Sequence, residues 1–122
     1  MEMPAILSLA ARAARHAADR QAVTARNVVN ADTPGYRPSD LTPFAAEASD
    51  FALRATRAGH MAGLDARPWR AVVEDGPLDP NGNGVSLETE ILRGVEAQRA
   101  HGRALTVYQT ALDLMRTSLG RR

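Results

Sequence analysis

Apolar residues recur at alternating steps of four and three near the start of the chain, at Leu7, Ala11, Ala14, Ala18, Gln21, Ala25 and Val28. That spacing marks one face of a helix that pairs with another helix. One long helix is therefore predicted from Pro4 to Asn30, with Pro4 suited to its first turn. At 1.5 Å per residue it would be about 40 Å long. Arg12, Arg15, Asp19, Arg20 and Arg26 fall on the other faces. The second such stretch closes the chain. Ile91, Val95, Gln98, Gly102 and Leu105 form one stripe, and Leu105, Tyr108, Leu112, Met115 and Leu119 continue it. A helix is predicted from Ser86 to Leu119, with Ser86 as N-cap. Glu88 and Glu90 stand at its positive end and Arg116 at its negative end, the signs that the helix dipole favours.

Between these helices the pattern breaks. Asn30-Ala31-Asp32-Thr33-Pro34-Gly35-Tyr36 stops the first helix, and Pro34-Gly35 at the centre of a turn predicts type II, with positive φ at Gly35. Thr42-Pro43 reads as the start of a short helix with Phe44, Ala48, Phe51, Ala52 and Ala55 on one face. Trp69 to Val73 reads as a short strand without an evident partner. Gly76-Pro77 and Asp79 to Gly84 are loop signals. The expected fold is mainly α: two long terminal helices pairing as a coiled coil, with a short irregular middle region holding one short helix and a little β. The corresponding segments are 1–37, the first helix and its turn; 38–84, the variable middle; and 85–122, the second helix. Spacing alone leaves open whether the helices pair within one chain or between chains.

Composition sharpens this picture. The chain has 122 residues, of which 44% are hydrophobic but only 4% aromatic. Much of the apolar content is alanine, which writes helices easily and buries little surface. The stripes look thin beside the entropy of ordering them, so partial disorder in the free monomer and folding on association are expected. A net charge of +1 argues against a dedicated nucleic-acid binder or a polybasic anchor. All 15 basic residues are arginine, which fits a GC-rich genome or a preference for bidentate contacts. Cysteine is absent, which excludes disulfides and thiolate chemistry. The N-terminus lacks the basic start and long apolar run of a cleaved signal peptide.

Candidate chemistry is sparse. Asp79-x-Asn81-x-Asn83-Gly84-x₅-Glu90 matches the spacing of a calcium loop. Its context is wrong, because Gly76-Pro77 replaces the incoming helix and Leu87 occupies a ligand position. A small calcium-binding module is the alternative from another functional class. His16, His60 and His101 do not share a metal-ligand spacing, and no nucleophile or phosphate-loop motif is present. No enzyme activity, cofactor or metal is expected. Tyr36 is expected to pack against the end of the first helix, and Trp69 to join a small core in the middle region.

The segment Asn27-Val28-Val29-Asn30-Ala31-Asp32-Thr33-Pro34-Gly35-Tyr36-Arg37, following a heptad helix, resembles the N-terminal signature of bacterial flagellar axial proteins, the rod and hook family. Asp40-Leu41-Thr42-Pro43-Phe44, the Thr56 and His60 pair, and Asn81-Gly82-Asn83-Gly84-Val85-Ser86-Leu87-Glu88-Thr89-Glu90 resemble the short proximal-rod members of that family. Val29, Ala97 and His101 depart from its pattern, standing where alanine, asparagine and tyrosine are usual. The resemblance implies a structural subunit that self-assembles helically through its terminal helices into the proximal rod of the basal body; another short axial protein is the alternative. It implies export without cleavage through the flagellar type III apparatus and a place in the periplasmic rod. The implied partners are the rod-base adapter and other rod proteins, with no nucleic acid and no membrane insertion. The residues expected to carry assembly are Leu7, Ala14, Asn27, Asn30, Thr33, Pro34, Gly35, Tyr36, Leu87, Ile91, Leu105, Leu112 and Met115.

Overall fold

The computed structural model describes residues 5–44 and 69–120. Along the chain these form α1 (Ala5–Val29), β1 (Ser39–Leu41), β2 (Ala71–Val73) and α2 (Leu87–Leu119). Both long helices begin and end within a residue of the predicted bounds. Ser86 caps α2, its hydroxyl accepting from the Thr89 N–H, and the Gly120 N–H closes the last turn on the Arg116 carbonyl. The short helix expected from Thr42-Pro43 onward, with Ala48, Phe51, Ala52 and Ala55, falls largely outside the described residues, as do Thr56 and His60.

The two helices pack on each other within one chain, and they run antiparallel. Asn27 meets Glu90, Arg20 meets Glu96, and His101 meets Ala14. Low numbers on one helix thus face high numbers on the other. The seam is built from small residues. On α2 it is Glu90, Ala97, Ala104 and Ala111, each seven positions after the last. On α1 it is Leu7, Ala10, Ala17, Thr24 and Asn27. Alanine at the contact lets the backbones approach, so dispersion along the chains replaces interdigitated large side chains.

The stripes predicted from spacing are therefore displaced from the seam. On α1 the predicted and observed faces share Leu7, but Ala18, Gln21, Ala25 and Val28 are exposed, and Ala10, Ala17 and Thr24 are buried in their place. On α2, Ile91, Val95, Gln98, Gly102, Leu105 and Leu119 are exposed, while Tyr108, Leu112 and Met115 are half-buried. The reason is steric. Counting large apolar residues finds the widest hydrophobic face, whereas the closest approach of two helices selects the smallest residues beside it.

The two flanks of the pair differ. Three residues past a seam position stand Arg20 on α1 and Arg93 on α2, and both reach Asp40 of β1. That flank carries the strands. One residue past a seam position stand Ala11, Ala18 and Ala25 on α1, and Ile91, Gln98, Leu105 and Leu112 on α2. In an antiparallel pair equivalent offsets lie on the same side, so these residues share the opposite flank.

The predicted strand at Trp69–Val73 is realised as β2, and it has a partner. β1 and β2 pair antiparallel with Ser39 opposite Val73, Asp40 opposite Val72 and Leu41 opposite Ala71. Pro38 and Thr42 continue the ladder through Glu74 N–H to Pro38 O and Thr42 N–H to Arg70 O. β1 is three residues long and directly follows the turn, too short for alternation to reveal. No described helix is long and apolar enough to cross a membrane.

Candidate assembly site: the turn and its buried polar latch

The Thr33–Tyr36 turn has the predicted geometry. The Tyr36 N–H donates to the Thr33 carbonyl, and Gly35 at the third position has φ +73°. Pro34 supplies the fixed φ before it, and Gly35 the left-handed conformation that a side chain resists. The Thr33 hydroxyl donates to Asn30 Oδ1, and Asn30 Nδ2 returns to the Arg26 carbonyl, closing the end of α1.

This turn docks on the glycine-asparagine loop before α2. Asn83 is 1% exposed. Its Nδ2 donates to the Asn30 and Thr33 carbonyls at 2.9 and 2.7 Å, and its Oδ1 accepts from the Val85 N–H. The Gly35 N–H donates to the Asn81 carbonyl, and the Gly84 N–H to the Tyr36 carbonyl. Gly82, at φ +82°, lies so close that a Cβ there would stand 3.3 Å from Gly35 Cα. The two sequence motifs, more than forty residues apart, are thus one physical unit. The calcium-like spacing of Asp79 to Glu90 is part of it: Asn83 caps α1, and the Glu90 oxygens accept from Asn27 and Arg93.

Asn27 organises the interior. It is 0% exposed and makes four hydrogen bonds. Its Nδ2 donates to the Ser39 carbonyl at 2.8 Å and to Glu90 Oε2 at 3.0 Å. Its Oδ1 accepts from the Tyr36 hydroxyl and the Ser39 N–H. An asparagine amide offers two donor hydrogens and two acceptor lone pairs, and all are used. Ser39 lies between ladder residues that bond β2, so its own N–H and C=O face away from the sheet. The Asn27 amide meets both, acting as a third strand would. Tyr36 accordingly packs back on α1, as expected.

A charged layer surrounds this core. Arg20 grips Asp40 with two bonds, Nε to Oδ1 at 2.9 Å and Nη2 to Oδ2 at 2.8 Å, the fork geometry that arginine has and lysine lacks. Arg93 bonds Glu90 and Glu74 and stands 3.7 Å from Asp40. Burial works against the ionised form of Asp40, but the Arg20 bonds, the Leu41 N–H and the charges of Arg20 and Arg93 outweigh it, so its carboxyl titrates below the ordinary range. Arg20 is held protonated chiefly by its bond to Asp40. Arg93 is disfavoured by burial, yet its acidic neighbours raise it overall. Among the described residues no buried side-chain polar atom lacks a partner.

A second cluster sits further along α1. The His16 ring meets Trp69 edge-on at 5.2 Å and Phe44 at 5.7 Å, and its Nε2 lies 2.8 Å from the Thr42 carbonyl. The Trp69 Nε1–H donates to Asp19 in an exposed bond, so Trp69 packs half-buried on α1, where a small core of the middle region was expected.

The structure thus gathers Asn27, Asn30, Thr33, Pro34, Gly35 and Tyr36 at one end of the molecule. It does not bring Leu87, Ile91, Leu105, Leu112 and Met115 to that site; they are distributed along α2. Leu7 lies in the seam at the far end, with Ala14 half-buried between. Arg20, Asp40 and Arg93 are central here although no motif marks them, and Asn83 and Glu90, which the sequence offers only as positions of a calcium-like loop, bind the turn and Asn27. Of the three departures from the family pattern, Ala97 is buried in the seam, His101 Nδ1 lies 3.1 Å from the Ala14 carbonyl across it, and Val29 is exposed.

Residues 7–37, α1 from Leu7 through the turn, match the family model described as flagella basal body rod protein. The flagellar basal body rod protein FlgB of Agrobacterium fabrum (strain C58 / ATCC 33970) is 28% identical over 106 residues, covering 79% of this chain and 78% of that relative. Both findings bear out the resemblance read from the sequence.

Proposed function

We propose that this chain is a structural subunit of the flagellar basal-body rod, placed in its proximal part, that assembles helically through its two terminal helices. The observation that carries this reading is a flank of the helix pair that no other described residue fills. Ile91 is 64% exposed, Leu105 44% and Leu119 79%, at one heptad position immediately beside the seam. Four of the five residues at that heptad position from Ile91 to Leu119 are large and apolar, Gln98 being the fifth, and such a face, uncovered by the described residues, suits a neighbouring helix. The assembly residues expected on α2 lie on or beside this flank, while the turn residues on α1 set the geometry of its root. A helical array uses heterologous contacts that do not close, which suits a chain whose two flanks differ. In this reading the chain passes unfolded and uncleaved through the flagellar type III apparatus. It then joins the rod-base adapter and other rod proteins in the periplasm. Its role is mechanical, without a catalytic step or cofactor.

The test is deletion of the gene with complementation, scoring swimming and imaging basal bodies by electron microscopy. Rings without a rod are expected in the deletion strain, with restoration by the wild-type gene. Complementation by Leu105→Asp should fail although its circular-dichroism spectrum matches the wild type, since Leu105 lies outside the seam. Normal rods in the deletion strain would overturn the proximal-rod reading. Full rescue by Leu105→Asp would overturn the use of this flank.

A further inference from the structure

The polar and ionic contacts between the helices are unevenly placed. At the root, where α1 ends and α2 begins, Asn27, Glu90, Asn83, Arg20, Asp40 and Arg93 bind the helices to the turn and to β1. From the contact of Ala14 with His101 outward, the seam consists of Leu7, Ala10, Ala104 and Ala111. An alanine seam has shallow energetic relief. Moving these halves apart exposes the Leu7 side chain and one methyl at each alanine, and among the described residues no buried polar group loses a partner. Opening the root exposes charges and amides whose bonds must all be broken together.

We propose that the polar cluster is a latch that holds the root closed while the distal halves of α1 and α2 separate, so that the molecule opens like tongs in a step distinct from global unfolding. The latch also sets register. Ala97, Ala104 and Ala111 are identical seam residues one heptad apart, so the apolar contact barely distinguishes a slip of one heptad. Glu90 opposite Asn27 does distinguish it: a slip of one heptad sets Asn27 against Ala97 in one direction and moves Glu90 to Arg20 in the other, and in both the Asn27–Glu90 bond is unmade. One buried polar pair is a known device for fixing register between helices. The distal halves are thereby free to exchange the intramolecular contact for another helix without loss of register at the root. This inference concerns the isolated chain and holds whatever place the protein takes in the rod.

The test is native-state amide hydrogen exchange on the intact chain, comparing Ala97 with Ala111. These lie ten and eight residues from the two ends of α2, so ordinary end fraying treats them nearly alike. Amides around Asn27 and Ala97 should exchange only on global unfolding, and those around Ala10 and Ala111 about tenfold faster or more. Glu90→Gln, which puts a donor where the site needs an acceptor, should lower protection around Asn27 and Ala97 and leave Ala111 unchanged. Ala111→Gly should do the reverse. Uniform protection along both helices, or loss of distal protection in step with the root in Glu90→Gln, would overturn the latch. Should Glu90→Gln fail to fold, the wild-type gradient and Ala111→Gly still decide the question.

Discussion

Replacing Asn27 by alanine removes four hydrogen bonds from a site with no access to solvent. The Ser39 N–H and C=O, the Tyr36 hydroxyl and Glu90 Oε2 each lose a partner. A typical bond contributes about 1 kcal/mol net, and stranding a buried charged acceptor costs about 1–3 kcal/mol. Water entering the vacated space offsets part of the loss, because Ser39 and Tyr36 are only half-buried. The expected destabilisation is about 3–5 kcal/mol, a large fraction of the stability of a small domain. At about 4–8 °C per kcal/mol, the melting temperature should fall by at least about 12 °C. Thermal and urea denaturation followed by circular dichroism at 222 nm reads this directly, using the wild-type chain as reference. Asn27→Asp separates geometry from charge: it keeps acceptors for Tyr36 and Ser39 but sets a second carboxylate against Glu90. It should be no more stable than Asn27→Ala at pH 7 and recover as the pH falls through the carboxylate range. A loss below about 1 kcal/mol for Asn27→Ala would refute the argument, since the site would then be satisfied without the amide.

Gly35→Val forces a β-branched residue into φ +73° and should cost about 1–3 kcal/mol in a denaturant melt; an unchanged midpoint would show that the turn can relax. Gly84→Ala places a Cβ 3.0 Å from Leu78 Cδ2 and 3.2 Å from Pro38 Cδ, so it should destabilise by about 1 kcal/mol or more, read as a lowered melting temperature. Asp40 titrates below its unfolded value of about 3.9. Its contribution is therefore complete above about pH 4 and is lost as the pH falls through the lowered folded value. Acid unfolding curves should show a shallower stability loss below about pH 4 in Asp40→Asn than in the wild type, and parallel curves would argue that Asp40 is not the group titrating. Ala104→Leu should push the helices apart and destabilise by about 1–3 kcal/mol, checked by the same melts.

The pattern of the sequence by itself determined the two helices, their ends, and the type II turn. Each rests on local rules: heptad spacing, a serine N-cap, and a proline-glycine pair whose backbone geometry does not depend on distant residues. The motif at Asn27 to Arg37 marked the region that the structure makes central. The phase of the seam was decided only in three dimensions. Ile91 and Leu105 dominate a hydrophobicity count, but the helices meet over Ala97 and Ala104, because interaxial distance is set by the smallest residues and not by the most apolar ones. β1 was likewise hidden, since three residues carry no period and Val73 is brought to Ser39 by the turn and α1. The joining of the Thr33–Tyr36 turn to the Asn81–Gly84 loop depends on backbone groups of Asn30, Thr33 and Tyr36, which have no signature in residue type. The burial of Glu90 beside Asn27 is tertiary for the same reason: a carboxylate is stable inside a protein only where partners from other segments meet it, and the fold alone decides where they meet.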